Sequence, residues 1–191
     1  MEGMMMFHQL FPDIGLEETR TIAVFKEQDG LPEGSYGFVE LYCIDPNCDC
    51  RRVMFNVVSE EPAKHLATIN HAFEPPPPDD VIKEQSFLDE LNVQSEYSTT
   101  LLKLFKEVLL MDTVYIDRLE EHYKMVKTAL KNPTHKIWKV IKGANKDYAG
   151  ENLRSNIKNI DPYSPCICGS GNKFKWCCRE KMMCIDSDKR N

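Results

Sequence analysis

Phe38-Val39-Glu40-Leu41-Tyr42-Cys43-Ile44, then Asp45-Pro46-Asn47, then Arg52-Val53-Met54-Phe55-Asn56-Val57-Val58 is the stretch that decides the fold. Two runs rich in β-branched and aromatic residues flank an Asp-Pro-Asn segment, which suits a type I turn with proline at its second position. In the return run Val53, Phe55 and Val57 fall on one face of a strand, with more polar residues largely on the other. A β-hairpin is therefore expected here. Upstream, Thr21-Ile22-Ala23-Val24-Phe25 reads as another strand, ending at Gly30-Leu31-Pro32-Glu33-Gly34. Downstream, Leu66-Ala67-Thr68-Ile69-Asn70 adds a fourth. Residues 1–16, Met-rich and interrupted by Pro12 and Gly15, read as a loosely held lead-in.

The pattern changes after Glu74-Pro75-Pro76-Pro77-Pro78-Asp79-Asp80. Four consecutive prolines favour an extended polyproline spacer, so a boundary is expected there, or alternatively a loop within one core shared by strands and helices. Beyond it Leu101, Leu104, Phe105 and Val108 form a helical stripe behind Ser98, Thr99 and Thr100 as capping candidates. Ile116, Leu119, Tyr123, Val126 and Leu130 form a second stripe after Asp112-Thr113. Pro133 is expected to open a shorter helix with Ile137, Val140 and Ile141, closed by Gly143. The fold class is thus α+β: an antiparallel β-meander over 1–74, a helical region over 81–160 and a small C-terminal module over 161–184.

The chain has 191 residues, of which 42% are apolar and 28% charged, the composition of a globular protein with a real core. No apolar run approaches the roughly 20 residues that span a bilayer, and Met4-Met5-Met6-Phe7 is too short for a signal-peptide core. A cytoplasmic location is expected, where eight cysteines serve metals more often than disulfides. Charge is divided unevenly. Residues 1–121 carry 9 basic and 24 acidic side chains, a net of −15, whereas residues 122–191 carry 15 and 6, a net of +9. A basic C-terminal third suits contact with a polyanion such as nucleic acid or a ribosome, or equally attraction to the acidic body or plain solvation of a different face.

Two cysteine groups carry the chemistry. Cys166, Cys168, Cys177 and Cys178 follow C-x-C-x8-C-C spacing, with Gly169 and Gly171 inside the loop. Four thiolates in that arrangement close a tetrahedron around zinc and leave no position for a substrate, so the site would be structural. The segment Pro165-Cys166-Ile167-Cys168-Gly169-Ser170-Gly171-Asn172-Lys173-Phe174-Lys175-Trp176-Cys177-Cys178 resembles the SEC-C motif, the zinc module at the C-terminal end of the SecA translocation ATPase. The resemblance implies that Cys166, Cys168, Cys177 and Cys178 are zinc ligands, with Cys178 where SecA has histidine. In SecA the module is associated with contacts to an export chaperone, lipid or the ribosome, which implies an adaptor role here, with Lys173, Lys175, Arg179 and Lys181 around the site. The likeness covers about 15 residues. The chain has no phosphate-binding loop of the ATPase kind.

The second group is Cys43, Cys48 and Cys50 in Cys43-Ile44-Asp45-Pro46-Asn47-Cys48-Asp49-Cys50-Arg51-Arg52. Three readings stand side by side. One is a second zinc site with a fourth ligand from Asp45, Asp49, His65 or His71. Another is a reactive thiol whose pKa Arg51 and Arg52 lower. The last is structural, with Cys43 as a small core residue. The stretch from Tyr36 to Arg52 is also similar to a group of uncharacterised bacterial proteins that end in a SEC-C motif, a likeness that brings no activity with it. The chain shows no H-E-x-x-H, no G-x-S-x-G and no glycine-rich nucleotide loop. No catalytic residue is assigned, and thiol or metal chemistry at Cys43, Cys48 and Cys50 is the one enzymatic alternative. The sequence points instead to a zinc-binding protein whose tail docks a protein partner.

Overall fold

The β-rich half builds one antiparallel sheet. A computed structural model describes residues 3–144, so Cys166, Cys168, Cys177 and Cys178 and the rest of the expected C-terminal module lie outside the described residues. The chain divides into one compact unit, Met1–Val140, and a second, Ile141–Asn191, of which residues 141–144 alone are described; apart from those, the account that follows concerns the first. Its strands are β1 (Met4–Met6), β2 (Arg20–Val24), β3 (Gly34–Cys43), β4 (Arg52–Ser59), β5 (Lys64–Ala72) and β6 (Ser86–Leu88). Every pairing is antiparallel and the order is β1-β3-β4-β5-β6, with β2 also on β3. Strand β3 is long enough to hold two partners along one edge: β2 pairs with its first half, Arg20 opposite Phe38, and β1 with its end, Met4 opposite Cys43.

The lead-in is therefore part of the sheet, contrary to the loose segment expected. Beyond β1 come two short helices, α1 (Phe7–Leu10) and α2 (Pro12–Gly15). Met5, Phe7 and Leu10 are buried, and that apolar area is what fastens the segment. The two helices meet tightly at Gly15, where an added Cβ would lie 2.4 Å from the His8 Cα. Only glycine fits.

Helices cover one face of the sheet. The first is α3 (Ser98–Leu104), continued by a π-helical turn, Phe105–Leu109. The second is α4 (Thr113–Lys131), capped by the Asp112 carboxylate, which accepts from the Tyr115 N–H. Ser98, Thr99 and Thr100 do not cap α3; Tyr97 occupies that position without a side-chain bond. Residues from 137 onward are helical again, with Pro133 in the turn before them and Gly143 inside the helix rather than closing it.

Phe105 is the centre of the core, with ring centroids 6.1 Å from Phe38, 5.0 Å from Phe55 and 5.7 Å from His71. Val53, Phe55 and Val57 are fully buried, as their alternation predicts. The polyproline segment does not separate sheet from helices. Residues on its far side return to the sheet as β6, where Phe87 pairs with Asn70, and then supply α3 to the same core. Burial of the α3 stripe against Phe38 and Phe55 outweighs the local stiffness of the prolines.

A polar group sits within this core. Glu40, on the helix-facing side of β3 with Phe38 and Tyr42, is 5% exposed. Its carboxylate accepts from the Tyr42 hydroxyl at 2.9 Å and lies 2.7 Å from His122 Nδ1 on α4. His122 Nε2 lies 3.0 Å from Glu18, and Phe7 stacks on the imidazole at 3.9 Å. A buried carboxylate needs such partners. The cluster ties β3, α4 and the N-terminal segment together.

Candidate metal centre

Cys43, Cys48 and Cys50 are brought together by the turn between β3 and β4. Cys43 is the last residue of β3 and is held there by the N-terminal segment. Met4 faces it across the sheet, and the Ile44 N–H donates to the Gly3 carbonyl at 2.7 Å. The chain then reverses at Pro46-Asn47, as expected. The Asn47 N–H donates to Asp45 Oδ1 at 2.9 Å, and the Cys48 N–H to the Asp45 carbonyl at 3.3 Å. A second change of direction follows Cys50. Arg51 has φ of 41°, a left-handed conformation uncommon outside glycine, and its carbonyl accepts from the Phe73 N–H. This turns the chain into β4 and leaves Cys50 facing its neighbours.

The three sulfurs all lie within 4.8 Å of one another. A tetrahedral zinc with Zn–S near 2.3 Å would set them about 3.8 Å apart, so small side-chain adjustments complete the approach. The group is able to hold a metal ion. Cys43 is 9% exposed, and Cys48 and Cys50 are half-buried among exposed neighbours.

Electrostatics follow from this crowding. The Cys48 thiol is lowered, first by the Cys50 backbone N–H that bonds to it and then by the Cys50 side chain, with smaller help from Cys43 and Lys127. Burial pushes Cys50 up to about 12, reinforced by its hydrogen bond to Cys48 and by the other two sulfurs. Three thiolates this close do not all ionise without a cation among them, and a bound dication reverses that preference.

The cation beside the group is Lys127, on α4. Its ammonium donates to the Cys48 carbonyl at 2.8 Å and to the Asp45 carbonyl at 3.0 Å, and it lies over the Tyr123 ring. Nothing local in the sequence marks Lys127, 79 residues from Cys48; only the packing of α4 on the sheet brings it there. Gly3 and Met4 went unrecognised for the same reason. Arg51 and Arg52 have other partners, the Glu74 carboxylate at 2.5 Å and Asn70 Oδ1 at 3.3 Å.

The four proposed fourth ligands do not join the sulfurs. His71 points into the core, its Nδ1 2.8 Å from Ser86 Oγ and its ring against Phe73 and Phe105. His65 lies near the opposite end of β5, bonded to Thr68 Oγ1 and the Ala67 carbonyl. Asp45 accepts within its own turn, and Asp49 is exposed. Among the described residues no further histidine, cysteine, aspartate or glutamate atom meets all three sulfurs. No helix of the described residues is long and apolar enough to cross a membrane. No family model matches the chain, and neither a curated protein nor a solved structure matches it.

Proposed function

We propose that this chain is a zinc-binding adaptor: the body holds one zinc at Cys43, Cys48 and Cys50, and the SEC-C-like tail holds a second at Cys166, Cys168, Cys177 and Cys178 and docks a protein partner. The observation that carries the reading is the convergence of three sulfurs at the β3–β4 turn. Soft thiolates select zinc over magnesium or calcium. For the tail, support comes from its match to the SEC-C pattern and from the closed four-thiolate set, which suits structure and docking rather than turnover. A module of about 15 residues is too short to build much core of its own and would draw much of its folding free energy from the metal.

The net charge of +9 over residues 122–191 favours a second reading, contact with RNA or a ribosome. One experiment separates the two. The intact chain and the Cys166→Ser/Cys168→Ser variant are used as bait, each with and without nuclease treatment. The adaptor reading expects a nuclease-resistant protein that the intact chain retains and the variant loses. Retention that disappears with nuclease transfers the role to nucleic acid, and identical partners for both baits remove the tail as the docking element.

A further inference from the structure

Resting on that zinc reading, we infer that the zinc at Cys43, Cys48 and Cys50 keeps one coordination position that no described residue fills, open to a monodentate ligand, and that this ligand is a thiolate. The geometry points there by elimination and by charge. The sulfurs lie within 4.8 Å of one another, and no fourth ligating atom of the described residues joins them. Both histidines near in sequence are committed elsewhere, His71 to Ser86 inside the core and His65 to Thr68. The ammonium of Lys127 is taken up by two carbonyls and cannot double as a ligand.

The open side faces solvent. Asp45, Pro46, Asn47, Asp49 and Arg51 are exposed around the half-buried Cys48 and Cys50, so a small ligand reaches the metal without rearranging the sheet. A zinc with three protein ligands keeps a fourth position for water or another small ligand, whereas a closed four-ligand site does not. Three thiolates on Zn2+ leave a net charge of −1. A fourth thiolate brings it to −2, and Lys127, fixed within 3.0 Å of the turn's carbonyls, supplies a compensating positive charge. A thiol bound there would form a Zn–S bond in exchange for a water ligand on the metal and would release its proton to solvent.

Cobalt substitution reads this directly, because the sulfur-to-cobalt charge-transfer band scales with the number of bound thiolates. The full chain carrying Cys166→Ser/Cys168→Ser/Cys177→Ser/Cys178→Ser, so that the tail's four-thiolate set is removed, is loaded with Co2+ in a phosphine reductant. A small monothiol and a short cysteine-containing peptide are then titrated in separate arms. The expected result is a tetrahedral spectrum whose charge-transfer intensity rises by about a third to saturation, from three thiolates to four. A rise in both arms admits a protein cysteine as ligand; a rise with the monothiol alone restricts the position to small thiols. A band that starts at full intensity or does not respond to either thiol overturns the inference while leaving the metal site intact. Failure to bind cobalt, in a variant whose circular dichroism matches the parent, overturns the zinc reading itself.

Discussion

Burial keeps the imidazole of His71 neutral. The residue is 3% exposed and packs edge-on to Phe73 and Phe105, with Ser86 as its hydrogen-bonding partner. Desolvation lowers its pKa from 6.5 to about 4. An unfolded chain binds this proton below pH 6.5 and the folded chain does not, so the stabilisation is complete above pH 6.5 and drains away as pH falls towards 4. Between pH 7 and pH 5 the loss from this group is about 2 kcal/mol. His71→Asn places an amide where Nδ1 bonds Ser86 and removes the titration. Urea unfolding at the two pH values is expected to show a drop for the parent about 2 kcal/mol larger than for the variant, and equal drops would contradict the assignment. Glu40 teaches the opposite lesson about reading strands. A glutamate within an apolar strand looks like an outward residue, yet it faces the helices because His122, 82 positions away, satisfies it. No local signal carries that pairing.

The element that best separates periodicity from packing is the junction of α3 with the π-helical turn. Leu101, Leu104, Phe105 and Val108 follow a regular 3.6-residue stripe, and the first three are buried. The stripe then slips. The Leu110 N–H bonds to the Phe105 carbonyl five residues back, so the wider turn carries Val108 out to 48% exposure and brings Leu109 in at 4%. Leu109→Ala is accordingly expected to cost about 2–5 kcal/mol and Val108→Ala no more than about 0.5 kcal/mol. Equal costs, or the reverse order, in thermal unfolding would restore the regular helix. The strands were more legible than this helix. Alternation in Val53, Phe55 and Val57 and the Asp45-Pro46-Asn47 turn are signals within a few residues, and β2 to β5 lie where they indicate. By contrast β1 rests on three methionines whose pairing with β3 is decided by contacts made some 37 residues away.

At the scale of the whole molecule, the Cys43, Cys48 and Cys50 cluster is where these long-range contacts meet. The cysteines and the turn between them are visible in the sequence. Their convergence depends on Gly3 and Met4 anchoring the end of β3, on Arg51 turning the chain into β4, and on Lys127 reaching from α4. The same architecture explains why the histidines fail as ligands: β5 carries His71 into the helix-facing core and His65 to the far end of the sheet. Metal binding at this turn would cross-link the two central strands and favour the folded body. The most direct test counts zinc. Native mass spectrometry of the chain purified with its metal is expected to find two zinc ions per chain, one after Cys43→Ser/Cys48→Ser and one after Cys166→Ser/Cys168→Ser. An unchanged zinc count in the Cys43→Ser/Cys48→Ser variant would contradict a metal centre in the body.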